Sequence, residues 1–132
     1  MTESEWTRVC CSKLEQAGAI VIAHVAGKMQ SNHLPDRTIV TPYGNFFVEF
    51  KGTRTKWRDG QRILASRINS RFACCFLYRQ PGTLTIEDQL VYVDCVKDPK
   101  GFIQCLYELC EKIQRTRITK LVVDEPKSME KV

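Results

Sequence analysis

The chain contains no apolar run of about 18 residues, so no segment reaches the length of a membrane-spanning helix. It has no Cys-X-X-Cys pair, although cysteines stand at positions 10, 11, 74, 75, 95, 105 and 110. Structural zinc and iron–sulfur sites draw on closer, more regular thiolates, which argues against both. Its first residues, Met-Thr-Glu-Ser-Glu, lack the basic and apolar regions of a signal peptide. With an odd cysteine count, this reads as reduced thiols in a cytoplasmic compartment, most of them small core hydrophobes. There is no internal repeat and no low-complexity stretch.

What is present is the composition of a globular chain: 43% hydrophobic and 27% charged over 132 residues. That length suits one domain, read here as 1–125 with a disordered tail at 126–132. It buries roughly two thirds of its unfolded surface, enough for a core without staples. The net charge of +5 is uneven. Lys51, Arg54, Lys56, Arg58, Arg62, Arg67, Arg71 and Arg79 face a single acid, Asp59, between positions 51 and 79. That stretch therefore carries +7 and leaves −2 for the remainder of a chain whose total is +5. A polyanion is the natural partner of such a stretch, and nucleic acid is the commonest polyanion.

Pro35 to Lys51 reads as two strands joined by a tight turn. Thr38-Ile39-Val40-Thr41 is β-branched, Phe46 to Lys51 alternates, and Pro42-Tyr43-Gly44-Asn45 supplies turn chemistry. With the turn centred near Tyr43 and Gly44, Val40 is expected opposite Phe47, Thr38 opposite Glu49 and Asp36 opposite Lys51. Alternation puts Glu49 and Lys51 on one face and Val48 and Phe50 on the other. Asp36, Glu49 and Lys51 then converge at one end of the hairpin. Two carboxylates can hold a hard divalent cation that keeps waters and takes phosphate oxygens. A lysine beside them can stabilise developing charge or position a water. The plain alternative is a cross-strand ion pair beside a surface carboxylate.

Pro35-Asp36 followed by Glu49-Phe50-Lys51 resembles the PD-(D/E)XK nuclease signature. Locally it is similar to the virus-type replication–repair nuclease (VRR-NUC) group, whose relatives include Holliday-junction resolvases. The resemblance covers roughly residues 3 to 80 and adds an acidic first helix, Gly52 after Glu-X-Lys, and a glutamine early in the next helix. It implies an α/β, restriction-endonuclease-like core in the order helix–strand–strand–strand–helix–strand, with a mixed central sheet flanked by helices. It implies a metal-dependent DNA endonuclease leaving 5′-phosphate and 3′-hydroxyl ends, with Mg²⁺ or Mn²⁺ on Asp36, Glu49 and the Phe50 carbonyl. Lys51 would assist the attacking water, Glu5 on the first helix would complete the acidic set, and Gln61 would order the site. It further implies DNA, duplex or branched, as partner, and a homodimer that presents two sites to two strands. A phage or bacterial origin would fit so compact a form. A restriction-type endonuclease and a non-catalytic nucleic-acid-binding module on the same fold are the alternatives.

The rest of the chain fits around that stretch. Residues 3–17 keep helical spacing through Trp6, Val9, Cys10, Leu14 and Ala17, with Gly18 as C-cap. Glu5 has a second reading there, since Thr2-X-X-Glu5 is a capping box. Ala19–Val25 reads as a buried strand, with His24 a packed, hydrogen-bonded core histidine. Gly27–Leu34 is a polar loop read as a substrate contact, with Lys28 a candidate for nucleic acid and His33 expected to cap or face solvent rather than approach a phosphate. Gly52–Lys56 is a basic loop, and Arg54, Lys56, Arg58 and Arg62 are candidate phosphate contacts. A helix from Trp57 or Arg58 to Asn69 carries the stripe Trp57, Gln61, Leu64, Ala65, Ile68 and Phe72. Ala73–Tyr78 is another buried strand, and Leu90–Val93 is β-like. Asp98-Pro99 starts a helix with Phe102, Leu106, Leu109, Cys110 and Ile113 buried. Ile118–Val123 is expected as a short strand or partner-binding edge.

Overall fold

The computed structural model describes residues 1–24, 34–71 and 73–130, with the backbone alone for 121–130. Lys28, His33, most of the Gly27–Leu34 loop, and Phe72 lie outside the described residues. The elements are α1 (Glu3–Gln16), β1 (Ile20–Ala23), β2 (Arg37–Thr41), β3 (Gly44–Lys51), α2 (Asp59–Asn69), β4 (Cys75–Arg79), β5 (Thr83–Ile86), β6 (Gln89–Tyr92) and α3 (Pro99–Glu130). The strands form one sheet in chain order, β1 through β6. Every neighbouring pair is antiparallel except β3 and β4, which run parallel because α2 carries the chain back between them. The protein is thus α/β, a six-stranded mixed sheet flanked by helices, and its first six elements follow the expected order.

α1 begins at a capping box in which Glu5 N–H donates to Thr2 Oγ1 and Thr2 N–H donates to Glu5 Oε2. Trp6, Cys10 and Leu14, four apart, bury one stripe. Gly18, at φ 101°, stops the helix in a conformation that suits glycine. The core lies between one sheet face and helices α1 and α3. Trp6 stacks on Tyr78 at 5.0 Å, and Phe102 of α3 meets the same ring edge-on at 4.7 Å. Tyr78 is fully buried, and its hydroxyl donates to Val93 O and accepts from Cys95 N–H. A large ring can therefore sit in the core without an orphaned polar atom. α3 starts where Asp98 Oδ1 accepts from Gly101 N–H, and it buries Phe102, Ile103, Leu106, Cys110 and Ile113.

Five sequence expectations change. The hairpin register is shifted by two residues: Thr38 pairs with Phe47 and Val40 with Asn45, around the two-residue turn Pro42-Tyr43. Thr41 Oγ1 sets that turn, accepting from Tyr43 N–H and donating to Gly44 O. A two-residue shift preserves the alternation, so each side chain keeps its face. β1 is an edge strand with Ile20 and Ile22 exposed, because α1 covers one face only. His24 has the hydrogen bond expected of it, to Thr38 Oγ1 at 2.6 Å, but is half-buried and outside the core. Ile118–Val123 continues α3, which also runs through 126–130, expected as tail. Once a helix is nucleated, each added residue gains a backbone bond without tertiary contact. Finally, Cys74 and Cys110 form a disulfide rather than two thiols, since their Cα atoms come to 5.9 Å where α3 crosses the sheet.

Candidate active site

The sheet face opposite the core is organised in rows. Register places Glu49 beside Leu77, Thr85 and then Leu90, and Lys51 beside Arg79, Thr83 and then Tyr92. α2 packs against β4 on this face and brings Gln61 over Glu49. Asp36 immediately precedes β2 and joins the row from the other side.

Asp36, Glu49, Lys51 and Gln61 are in one network. Asp36 N–H donates to Glu49 Oε2 at 2.9 Å, and Phe50 N–H donates to the Asp36 carboxylate at 3.2 and 3.4 Å. Lys51 Nζ lies 3.4 Å from Glu49 Oε1, and the Gln61 amide donates to the same oxygen at 3.0 Å. Arg58 N–H donates to Gln61 Oε1 at 3.2 Å, which fixes the amide's orientation. Glu49, Lys51 and Gln61 are each at most 6% exposed.

Burial gives these groups their electrostatics. Asp36 is pushed up to about 7, first by desolvation and then by the Glu49 charge, against the lowering pull of Phe50 N–H, Arg37 and Lys51. Glu49 is also raised, mainly by burial, with Lys51 opposing most strongly. Arg37 beside Asp36 and Lys51 beside Glu49 offset the two carboxylates only in part, since burial and, for Asp36, the repelling Glu49 charge still raise both. A divalent cation would relieve that repulsion.

Among the described residues, no group of three or more His, Cys, Asp and Glu side chains gathers as metal ligands. Asp36 and Glu49 are two, which still suits Mg²⁺: it keeps several waters and takes one or two carboxylates plus phosphate oxygens. Phe50 turns its N–H toward Asp36. A strand residue projects N–H and C=O to the same edge, so its carbonyl faces that side too. The donor set therefore fits a hard cation.

Glu5 is not brought to this network; it is exposed and occupied in the capping box. Glu3 comes closer. Its Oε2 accepts from Thr55 Oγ1 at 2.9 Å, and its Cβ lies 3.3 Å from where a side chain on Gly52 would start. Helical spacing could have selected it: Glu3 shares a face with Trp6, Thr7 and Cys10, whereas Glu5 lies roughly 100–160° around the helix from those three. Arg79, one of the eight basic residues between 51 and 79, donates to Gly52 O and Thr55 O at 3.1 and 2.7 Å, a role its sequence position alone does not signal. It clasps the basic loop onto the sheet. Arg54, Lys56, Arg58 and Arg62 are all exposed around this end of the molecule, Arg62 paired with Asp59.

No family model matches the chain, and no curated protein does. A solved structure described as a VRR_NUC domain aligns with 57% of this chain and 81% of its own, at 24% identity and a TM-score of 0.49. A likeness of that size carries no argument, and the functional reading rests on the site itself.

Proposed function

We propose that the protein is a metal-dependent DNA endonuclease, acting on branched or otherwise interrupted duplexes. The observation that carries this is the Asp36–Glu49–Lys51–Gln61 network, half-buried at Asp36 and buried at the other three, beside a rim of exposed arginines and lysines. Buried carboxylates that repel each other under a basic rim are costly as structure and apt for gripping a cation and a phosphate.

Asp36 and Glu49, with the Phe50 carbonyl, are the residues that would hold Mg²⁺ or Mn²⁺. Such an ion, when bound, polarises a phosphoryl oxygen and lowers the pKa of its water. Glu49 holds Lys51 by ion pairing, so the ammonium is aimed rather than free, ready to donate to the attacking water or to the charge developing on phosphate. Gln61 locks Glu49 in place and is itself locked by Arg58 N–H. Glu3 steadies the Gly52–Thr55 loop through Thr55 Oγ1, and Arg54, Lys56, Arg58 and Arg62 neutralise backbone phosphates. A homodimer would give a chain this small two sites for two strands. Sedimentation with and without DNA checks it, and a monomer on DNA would remove that part.

The test is cleavage of a labelled branched junction and a matched linear duplex with Mg²⁺, Mn²⁺ or chelator. Metal-dependent cutting that Lys51→Met lowers at least about a hundredfold, with binding kept, supports the reading. Binding without cutting by either protein would replace it with a non-catalytic module. Equal cutting of both substrates would remove the branch preference.

A further inference from the structure

The row that begins at Lys51 ends in an aromatic ring facing solvent. Tyr92 is 63% exposed although it lies on a regular strand, on the face of the sheet that carries the candidate site. Lys51, Arg79, Thr83 and Tyr92 are consecutive partners across β3, β4, β5 and β6. Three strand spacings put Tyr92 about 14 Å from Lys51.

The ring has a built seat. A side chain at Gly82 would start 3.2 and 3.3 Å from two Tyr92 ring atoms and 2.9 Å from Val93 O. Only a glycine leaves that space, and the ring fills it. One side of Tyr92 is therefore held by backbone while much of its surface stays open, an arrangement that limits the ordering cost of a contact. Between ring and site lies positive charge. Arg79, the row's second member, clasps the Gly52–Thr55 loop, from which Arg54 and Lys56 project into solvent. The neighbouring row ends in Leu90, also exposed, but beside the acids Glu87 and Asp88. Glu87 there is ion-paired with Arg117 and Asp88 is exposed; the Tyr92 row instead passes Arg79 and the Arg54–Lys56 loop, and so offers phosphates the more positive way out of the site.

We infer that Tyr92, seated on Gly82, stacks an unpaired base of a strand whose phosphates cross the Arg54–Lys56 loop on the way to the candidate site. The inference rests on the nuclease reading and deepens it by naming the substrate class: nucleic acid with a single-stranded segment next to the cut. Bases inside a duplex already stack on one another, so a side-on ring reaches only an unpaired one. Tyr92 here is a specificity residue and does not touch the reacting atoms.

The test is fluorescence anisotropy in chelator, where nothing is cut, using a labelled blunt duplex and the same duplex with a single-stranded tail. The parent is expected to prefer the tailed probe. Tyr92→Ala should lose roughly tenfold on the tail and keep its affinity for the blunt duplex, while Tyr92→Phe, which preserves the ring, stays within about twofold of the parent. A tail with abasic positions should lower the parent to the level of Tyr92→Ala and leave Tyr92→Ala unchanged. No loss in Tyr92→Ala, equal loss on both probes, an equal loss in Tyr92→Phe, or a parent without tail preference would each overturn the inference. Any of these beside intact metal-dependent cutting leaves the nuclease reading standing; a parent that binds neither probe overturns the inference, and one that also fails to bind or cut a branched junction overturns both.

Discussion

Asp36→Asn should stabilise the metal-free protein in mild alkali while abolishing its cutting. The Asp36 carboxyl is moved from its usual 3.8 to about 7 by burial and by Glu49. Its folded value lies above its unfolded one, so the sign is fixed. Near pH 3 both states are protonated and nothing is lost. As pH climbs from about 4, the unfolded chain ionises first and stability falls; the loss is complete once pH passes about 7. A displacement of that size is worth at most about 4 kcal/mol, and screening at this half-buried carboxyl brings the expectation to roughly 2–3 kcal/mol. Asparagine can still accept from Phe50 N–H, so the bond that Asp36 now makes is kept. Denaturant unfolding in chelator should therefore find Asp36→Asn more stable than the parent by roughly 2–3 kcal/mol at pH 8, shrinking toward zero near pH 4. Added Mg²⁺ should then raise the parent's midpoint and not the variant's, since only the parent binds it. A difference independent of pH, or a variant less stable at pH 8, would refute the electrostatic reasoning.

Other perturbations separate the parts of the site. Gln61→Leu strips Glu49 Oε1 of its amide donor and leaves Arg58 N–H without its acceptor, and should cost about 1–3 kcal/mol by denaturant titration as well as slowing cleavage. Glu5→Ala removes the acceptor of Thr2 N–H but keeps the Thr2 Oγ1 cap, so it should cost about 0.5–1 kcal/mol and leave cleavage rate per folded molecule unchanged, whereas Glu3→Ala should slow cleavage by loosening the Thr55 loop; the reverse pattern in a single-turnover assay would restore Glu5 to the site. Arg54→Ala should weaken binding alike across sequences and lower the salt slope of log affinity by about one unit, read by anisotropy between low and moderate salt. Reduction of Cys74–Cys110, separated by 36 positions, should lower unfolding stability by about 2–4 kcal/mol, and Cys74→Ser should remove the difference between reduced and oxidised samples.

The sequence carried the site further than it carried the frame around it. Period-2 alternation put Glu49 and Lys51 on one face whatever the turn, so a turn misplaced by one position still converged Asp36 with them; the register moved by two and the faces held. Gln61 was legible as the lone amide on an apolar stripe, and burial over Glu49 is what such a position leads to. Glu5 against Glu3 was not settled by type, since both are acids in a first turn; it turned on helical phase, and a capping box already claimed Glu5. β1 looked buried because Ile-Val-Ile reads the same on an edge as in a centre, and only pairing order tells them apart. The Cys74–Cys110 pairing needed the crossing of α3 over the sheet, a tertiary fact invisible in spacing. The row from Lys51 to Tyr92 is of the same kind, because it exists only once four strands are in register.

The most direct measurement is single-turnover cleavage of a labelled four-way junction by the parent, Asp36→Asn and Lys51→Met, each with Mg²⁺ and with chelator. The structure predicts cutting by the parent with Mg²⁺ alone, no measurable cutting by either variant, and junction binding retained by all three. Cutting that survives in chelator, or in Lys51→Met at the parent's rate, would contradict the assignment of the Asp36–Glu49–Lys51 network as the catalytic centre.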